Sequence, residues 1–387
     1  MYSYGKHNID EEDIESCLSV LKSGMLTQGP LCNKFEDLLA EYFGSSYATV
    51  VSNGTAALHL AGLALGWKKG DIVLTTPMTF LATANCIIYS GAEPQFVDID
   101  CETHNICPEK LEQKIISLKS NNKNVKAIIG VDYAGHPADW NAIRCIADNY
   151  KIQVVNDNCH ALGSEIDNDK KYAIKYADVV TMSFHAVKHI TTGEGGAVLT
   201  DNEVLDNKLQ RLKIHGVTKK REEMTNYDGP WYYEMVDLGY NYRLTDFQCA
   251  LGISQLKKLD MLVKRRREIA SIYDQMFKKY NYVQIPSCRN NVRHSYHIYS
   301  LQVNFKEIKC DKNSLYKKLE KKGIRLQTHY IPIHLQPYYR KNYGYKEGDF
   351  PIAEDFYRNE ITLPLYPQLS NIEVQDIGNK ILSSLNL

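Results

Sequence analysis

Short apolar runs alternate with amphipathic stretches through the first half of the chain. Runs at 47–51, 71–76, 95–97, 125–131, 152–155, 178–184 and 197–200 are rich in Val, Ile, Leu and Thr and break at polar or glycine-containing turns, which predicts seven strands. Before and between them, 9–25, 32–43, 56–65, 79–89 and 137–150 read as helices. Strands buried on both faces read as nearly continuous apolar runs, and intervening helices supply the crossovers that parallel strands require. The pattern therefore predicts an α/β chain: a mainly parallel seven-stranded sheet with helices on both faces.

Beyond residue 244 the pattern changes. A helical run to about 280, with Phe247, Leu251, Leu256, Leu259 and Val263 as its apolar stripe, leads to a strand at 297–303, a helix at 312–322, a strand at 325–330 and closing helices from Ala353 and Ser370. This divides the chain into a large α/β domain, 1–245, and a smaller α+β domain, 246–387. Segment 217–238 lacks a regular pattern yet carries Tyr227, Trp231, Tyr232 and Tyr233. Long loops in compact chains tend to be functional, which sets a ligand lid or a subunit contact against a plain surface excursion.

Charge and cysteines narrow the classes. Lys and Arg total 46, matched by 46 Asp and Glu, so no net field draws the chain to nucleic acid or an anionic membrane. The basic run 264–267 lies inside the long helical pattern and reads as a solvated face. The ten cysteines are scattered without a C-x-x-C pair or a zinc-ligand spacing, the picture of reduced thiols, no metal site and a cytoplasmic setting. No apolar run approaches the ~20 residues that span a bilayer, and the amino-terminal residues lack a signal-type apolar core.

Ligands of such a sheet bind beyond the carboxyl ends of its strands, and the chemically notable residues follow strands. Lys188 stands in a His-flanked loop between the runs 178–184 and 197–200. An amine held there, near other positive charge and out of bulk water, has its pKa lowered, as a carbonyl-capturing lysine requires. Residues 52–57 leave a strand and open a helix, so free N–H groups and the helix dipole converge on a phosphate-sized spot. Ser183, at the end of a strand, is a second anion partner. Asp157 follows the strand 152–155, His160 comes soon after it, and Phe80 follows Pro77. A phosphate cradle, a stacking aromatic, a carboxylate and a reactive lysine are the contacts that a pyridoxal phosphate ring needs. His294 and His297 read as satisfied histidines rather than metal ligands.

Six segments carry a resemblance: 53–58 (NGTAAL), 79–85 (TFLATAN), 157–163 (DNCHALG), 183–188 (SFHAVK), 193–196 (GEGG) and 239–244 (GYNYRL). In this order they resemble the DegT/DnrJ/StrS family of nucleotide-sugar aminotransferases, fold-type-I pyridoxal phosphate enzymes, over nearly the whole chain. Segments 131–135, 160–165 and 327–333 look most like the branch that serves pseudaminic-acid synthesis. The resemblance implies that Lys188 captures the cofactor aldehyde, Asp157 partners the pyridinium nitrogen, Phe80 stacks on the ring and His160 sits beside the 3-hydroxyl. It assigns the phosphate to Thr55, Ala56 and Ser183, and gives Asn241 to the phosphate of a neighbouring subunit, hence a homodimer with shared sites. Arg243, His329 and Tyr330 are candidate substrate contacts. The implied reaction moves an amino group from L-glutamate to C4 of a UDP-linked 4-keto-6-deoxy-N-acetylhexosamine. Two other classes compete: a sugar dehydratase of the same fold, which would have histidine in place of Lys188, and a cofactor-binding regulator, which would need a DNA-binding module the chain has no room for.

Overall fold

The computed structural model describes residues 1–386 and carries the seven-stranded sheet that the apolar runs predict. After α1 (Glu11–Leu21) and α2 (Pro30–Phe43), strands β1 (Tyr47–Val51), β2 (Asp71–Thr75), β3 (Glu93–Phe96), β4 (Asn124–Val131) and β5 (Gln153–Asp157) are joined by α3 (Gly54–Ala64), α4 (Leu81–Tyr89), α5 (Pro108–Ser120) and α6 (Trp140–Tyr150). The short β6 (Glu165–Ile166) and α7 (Tyr172–Tyr176) then lead to β7 (Val179–Ser183) and β8 (Gly196–Thr200). Across the sheet the order is β1-β8-β7-β5-β4-β2-β3. The pairs β7–β5, β5–β4, β4–β2 and β2–β3 are parallel, whereas β8 runs antiparallel to both β1 and β7. That single reversal brings the start of β8 to the same edge as the ends of β1 and β7.

Helix α3 shows why the sheet is closed on both faces: nearly all its residues from Ala56 to Ala64 are buried, with Leu58, Leu60 and Ala61 inside the core. A helix apolar all round has no solvent face, so it must be sandwiched. Helices α5 and α7 and two more, Glu203–Leu212 and Pro337–Tyr343, escaped the reading of the chain. In α5, Leu111, Ile115 and Leu118 form a buried i, i+4, i+7 stripe; in α8 (Glu203–Leu212) the Asn202 side chain caps the first turn and only Leu209 and Leu212 are buried.

Segment 217–238 is less irregular than expected, because β9 (Val217–Thr218) and β10 (Glu234–Met235) pair antiparallel at its base. Helix α9 (Asp246–Phe277) starts on a Thr245/Gln248 capping box. Its inner face differs from the predicted stripe: Phe247 is exposed, while Cys249, Ile253, Leu256, Leu259 and Val263 pack on the large sheet. Further along, Ile269, Ala270, Tyr273 and Phe277 belong to a second core. That core is shared with β11 (Val283–Gln284), β13 (Tyr299–Val303), α10 (Lys312–Lys321), β14 (Glu360–Leu363) and α11 (Asn371–Leu385), while β12 (Val292–Arg293) pairs back onto β6.

Two expectations fail for definable reasons. The basic run is not a solvated face. Arg266 is 1% exposed, its Nη1 donating to the carbonyls of Tyr296, His297 and Leu365 at 3.1–3.2 Å, and Arg267 donates to the carbonyls of His294 and Gly163. Loop carbonyls without strand partners need donors when buried, and a guanidinium supplies several at once. The expected strand 325–330 is not formed either: a lone bridge joins Gln327 to Thr362, after which the His329 N–H goes to the Glu360 carboxylate and its carbonyl to the Tyr133 hydroxyl. Side chains have taken the backbone groups that a sheet ladder would use. Among the described residues no helix is long and apolar enough to cross a membrane.

Candidate active site

At the carboxyl edge of the sheet a cavity of about 730 Å³ opens. Its floor follows from the topology. The chain leaves β1 through Asn53, whose side chain accepts the Ala56 N–H at 2.8 Å and so starts α3. Gly196, opening β8, pairs with both Val51 and Ser183. A Cβ on Gly196 would come within 2.6 Å of the Asn53 backbone, and one on Gly54 within 2.9 Å of the Ser183 Cβ, so only glycine lets the three segments meet. The result is a cradle of Thr55, Ala56 and Ser183 at the start of a buried helix, an arrangement suited to a phosphate group.

Asp157 ends β5 and is 4% exposed. Its Oδ2 accepts the Thr83 hydroxyl at 2.7 Å and its Oδ1 the Cys159 N–H at 3.3 Å. Among the described residues no basic side chain forms an ion pair with it, so this buried carboxylate keeps an open side. Lys188 lines the same cavity from the loop after β7. Burial lowers the pKa of its amine, Cys159 and Asp157 oppose that shift, and the Arg266 guanidinium adds to it. The residue as a whole is only half-buried, its accessible part facing the cavity.

His160 stands on the cavity wall with Nε2 3.0 Å from the Tyr330 hydroxyl and no protein partner at Nδ1. Burial, then Lys188 and the neighbouring His329 and His189, hold its pKa well below the usual imidazole range, so the ring is neutral. Phe80 is 56% exposed at the mouth, 6.1 Å from the Tyr330 ring. An aromatic that is open in the protein alone, on a cavity that also holds a buried carboxylate, is available for stacking.

Thr55, Ala56, Phe80, Asp157, His160, Ser183, Lys188, His329 and Tyr330 thus meet in one cavity. Asn241 and Arg243 do not: Asn241 is exposed, Arg243 is half-buried, and neither lines the cavity, although Tyr242 between them does. Sequence reasoning missed Tyr4, Gln327 and Thr328, which also line it. It also misread His297, which lines the cavity with Nδ1 unpartnered. The clue for Gln327 and Thr328 was their place in the segment QTHYIPI; Tyr4 gave no signal.

A DegT/DnrJ/EryC1/StrS aminotransferase family model matches residues 7–382. The chain belongs to this family. It is 40% identical over 385 residues to the UDP-4-amino-4,6-dideoxy-N-acetyl-beta-L-altrosamine transaminase of Campylobacter jejuni serotype O:2, covering 100% of this chain and 98% of that protein. Among solved structures it superposes on Helicobacter pylori PseC, an aminotransferase involved in the biosynthesis of pseudoaminic acid, with a TM-score of 0.90, 34% identity and coverage of 100% of this chain and 99% of that one. The PLP-form of the putative sugar aminotransferase Spr1654 from Streptococcus pneumoniae matches with a TM-score of 0.89 and 30% identity over 99% and 98% of the two chains. This aminotransferase is therefore a pyridoxal phosphate enzyme, and the residues fit the group: a backbone cradle for the phosphate, a buried carboxylate without a cationic partner for a pyridinium N–H, and an amine whose pKa is lowered.

Proposed function

We propose that the protein transfers an amino group from L-glutamate to C4 of a UDP-linked 4-keto-6-deoxy-N-acetylhexosamine, a reading supported by the Campylobacter relative's name as a transaminase of a UDP-4-amino-4,6-dideoxy-N-acetyl sugar. The observation that carries the reading is that Lys188, the open side of Asp157 and the Thr55–Ala56–Ser183 cradle face one cavity. Bound pyridoxal phosphate supplies an electron sink and a carbonyl carbon on which the amino nitrogen is carried from donor to acceptor.

The protein's part follows from its side chains. Thr55, Ala56 and Ser183 would hold the phosphate, and Phe80 would cover one face of the ring. The Asp157 carboxylate, fixed by Thr83 and the Cys159 N–H, would keep a proton on the ring nitrogen. The Lys188 Nζ, with its pKa lowered by burial, is part-neutral nearer physiological pH than a free lysine; it would hold the cofactor through its aldehyde and, when released, would take and return the substrate proton as general base and acid. Neutral His160 would orient the ring from the Tyr330 side. His329 and Tyr330 are the proposed sugar contacts. Arg243, outside the cavity of its own protomer, would reach a ligand only at a neighbouring subunit.

The reading includes a cytoplasmic homodimer. Asn241 is exposed, and Trp231 and Leu238 are 71% and 77% exposed, which supports a partner surface here with Asn241 directed to the other subunit's phosphate site. It also includes the division into 1–245 and 246–387; the two separate cores support two units, with α9 shared between them, its first half up to Val263 packing on the large sheet and its second half from Ile269 in the smaller core. The test is incubation of purified protein with glutamate and a panel of 4-keto nucleotide sugars, with products read by NMR. New amine at C4 of the UDP-linked N-acetyl sugar is expected; amination only of sugars lacking the N-acetyl group or carried on another nucleotide would overturn the substrate assignment.

A further inference from the structure

His329 lines the cavity and is tied from behind by three connected hydrogen bonds. Its backbone N–H donates to Glu360 Oε2 at 3.1 Å, its Nδ1 lies 2.8 Å from Thr362 Oγ1, and that hydroxyl lies 2.5 Å from Glu360 Oε1. Glu360 and Thr362, two apart on β14, share one face of the strand and are both 0% exposed. Burial, with a smaller push from Lys188, lowers the His329 pKa to about 3, so at neutral pH the ring carries one proton. Among the described residues nothing bonds its Nε2, the nitrogen left for a ligand.

A hydroxyl has one hydrogen to give, so this chain of three groups has two possible orders. If Glu360 is ionised it can only accept; Thr362 donates to it, His329 Nδ1 donates to Thr362, and Nε2 faces the cavity as an acceptor. If Glu360 is neutral, its Oε1–H donates to Thr362, Thr362 donates to Nδ1, and Nε2–H faces the cavity as a donor. Oε2 is taken by the backbone N–H in either case, which fixes Oε1 as the end that reaches Thr362.

We propose that Glu360 is a positioning residue: acting through Thr362, it decides which nitrogen of His329 carries the ring proton, and so whether the cavity offers the sugar a donor or an acceptor at this point. Only the naming of the ligand as a sugar rests on the function proposed above. Burial pushes the Glu360 carboxyl well above the usual carboxylate range, against the hydrogen bond from Thr362 and then the pull of Lys312. Lys312 and Tyr316 from α10, Tyr133 after β4, and Tyr330 are the other titratable groups around it, with Thr362 and Ser300 as hydroxyl neighbours. While the raised carboxyl holds its proton, Nε2–H is a donor, the character that suits a carbonyl or ring oxygen; once the carboxyl ionises with rising pH, the order reverses.

Substitution can lock the chain. In Glu360→Gln only the amide oxygen can accept the His329 N–H, so the amide NH₂ must face Thr362 and donate, which holds Nε2–H at every pH. Thr362→Val cuts the relay at nearly constant volume, and Thr362→Ser keeps it. The test is ¹⁵N NMR of the full-length enzyme labelled at histidine, with His329 assigned by comparison with His329→Asn, from about pH 6 to about pH 9.5. Wild type and Thr362→Ser should pass from the Nε2–H to the Nδ1–H tautomer, Glu360→Gln should stay Nε2–H, and Thr362→Val should lose the transition. In kinetics near the alkaline end, Glu360→Gln and wild type should differ about tenfold in KM for the nucleotide sugar, the equivalent of one hydrogen bond, with the glutamate half-reaction unchanged. One His329 tautomer throughout the range in wild type, or a Glu360→Gln variant that follows wild type, overturns the proposal. If Glu360→Gln does not fold, the contrast between Thr362→Val and Thr362→Ser decides. The NMR reading needs no substrate, so it stands or falls apart from the choice of sugar.

Discussion

Two aspartates at neighbouring strand ends, Asp132 after β4 and Asp157 at the end of β5, share a similar position and have opposite surroundings. Their backbones touch, the Asp132 N–H donating to the Asp157 carbonyl at 3.2 Å. Asp132 is 0% exposed, and both its oxygens are occupied: Oδ1 by the Ala138 N–H and the Trp140 indole, Oδ2 by the Asn158 amide and the Tyr172 hydroxyl, all at 2.7–2.8 Å. Asp157 receives only Thr83 and a long bond from Cys159, and it lines the cavity. A carboxylate has about four acceptor sites, so Asp132 is full and Asp157 is not. Position at the sheet's carboxyl edge makes a carboxylate available for chemistry; the number of donors that neighbouring segments bring decides whether it is used for folding or for a ligand.

The comparison breaks most visibly at the lysine that shares Asp157's cavity. Lys188→Ala should abolish turnover, and borohydride treatment of the loaded wild type should label the peptide containing Lys188 and nothing else; a label elsewhere would remove the cavity from the reaction. Asp157→Asn should lower kcat on the order of 10² to 10³-fold, as loss of an electrostatic partner at a reacting group does, with thermal unfolding little changed. Asp132→Asn should behave in the opposite way. Its amide can accept at one end only, leaving buried donors unpaired at the other, a loss of roughly 2 to 4 kcal/mol in stability with kcat within a few-fold of wild type. Equal effects of the two substitutions on melting temperature and on kcat would erase the distinction. Phe80→Ala, at the exposed mouth, should weaken cofactor retention about tenfold, the scale of a stacking contact, and leave the melting temperature of the cofactor-free protein unchanged.

Much of this was legible in the chain because burial on both faces writes β1, β2, β4, β5, β7 and β8 as apolar runs, and because Lys188, Asp157 and the 53–56 turn sit immediately after strands. What could not be read depends on partners distant in sequence. Tyr4 reaches the cavity because Tyr2 bridges to Ile324 and the Tyr4 carbonyl accepts the Leu365 N–H, contacts with no local pattern. Arg266 looks like its charged neighbours in sequence, yet it alone of the run faces inward completely, where three loop carbonyls await donors. Nothing in the residues around 325–330 announces that a glutamate and a tyrosine hydroxyl will intercept the backbone groups of a would-be strand. The same intercepted segment carries His329 into the cavity, so the failed strand and the hidden site residue have one cause.

The smallest expected effect concerns pH and sharpens the contrast between the two aspartates. Burial pushes the Asp132 carboxyl up to about 6, against the four donors that favour its charged form. In the unfolded chain an aspartate titrates near ~3.9, so the folded state favours the protonated form more than the unfolded state does. The associated stabilisation is fully present below about pH 4 and is lost as pH rises through about 6. Asp132→Asn has no proton to lose and lacks this dependence. The wild type should therefore be the more stable throughout, with the gap in melting temperature between the two proteins largest near about pH 4.5 and narrowing toward about pH 7.5, on either side of the raised value. Calorimetry of both proteins across that interval reads the gap directly; a gap that widens with rising pH would mean that the four donors outweigh burial and that Asp132 enters the fold as a stabilised anion.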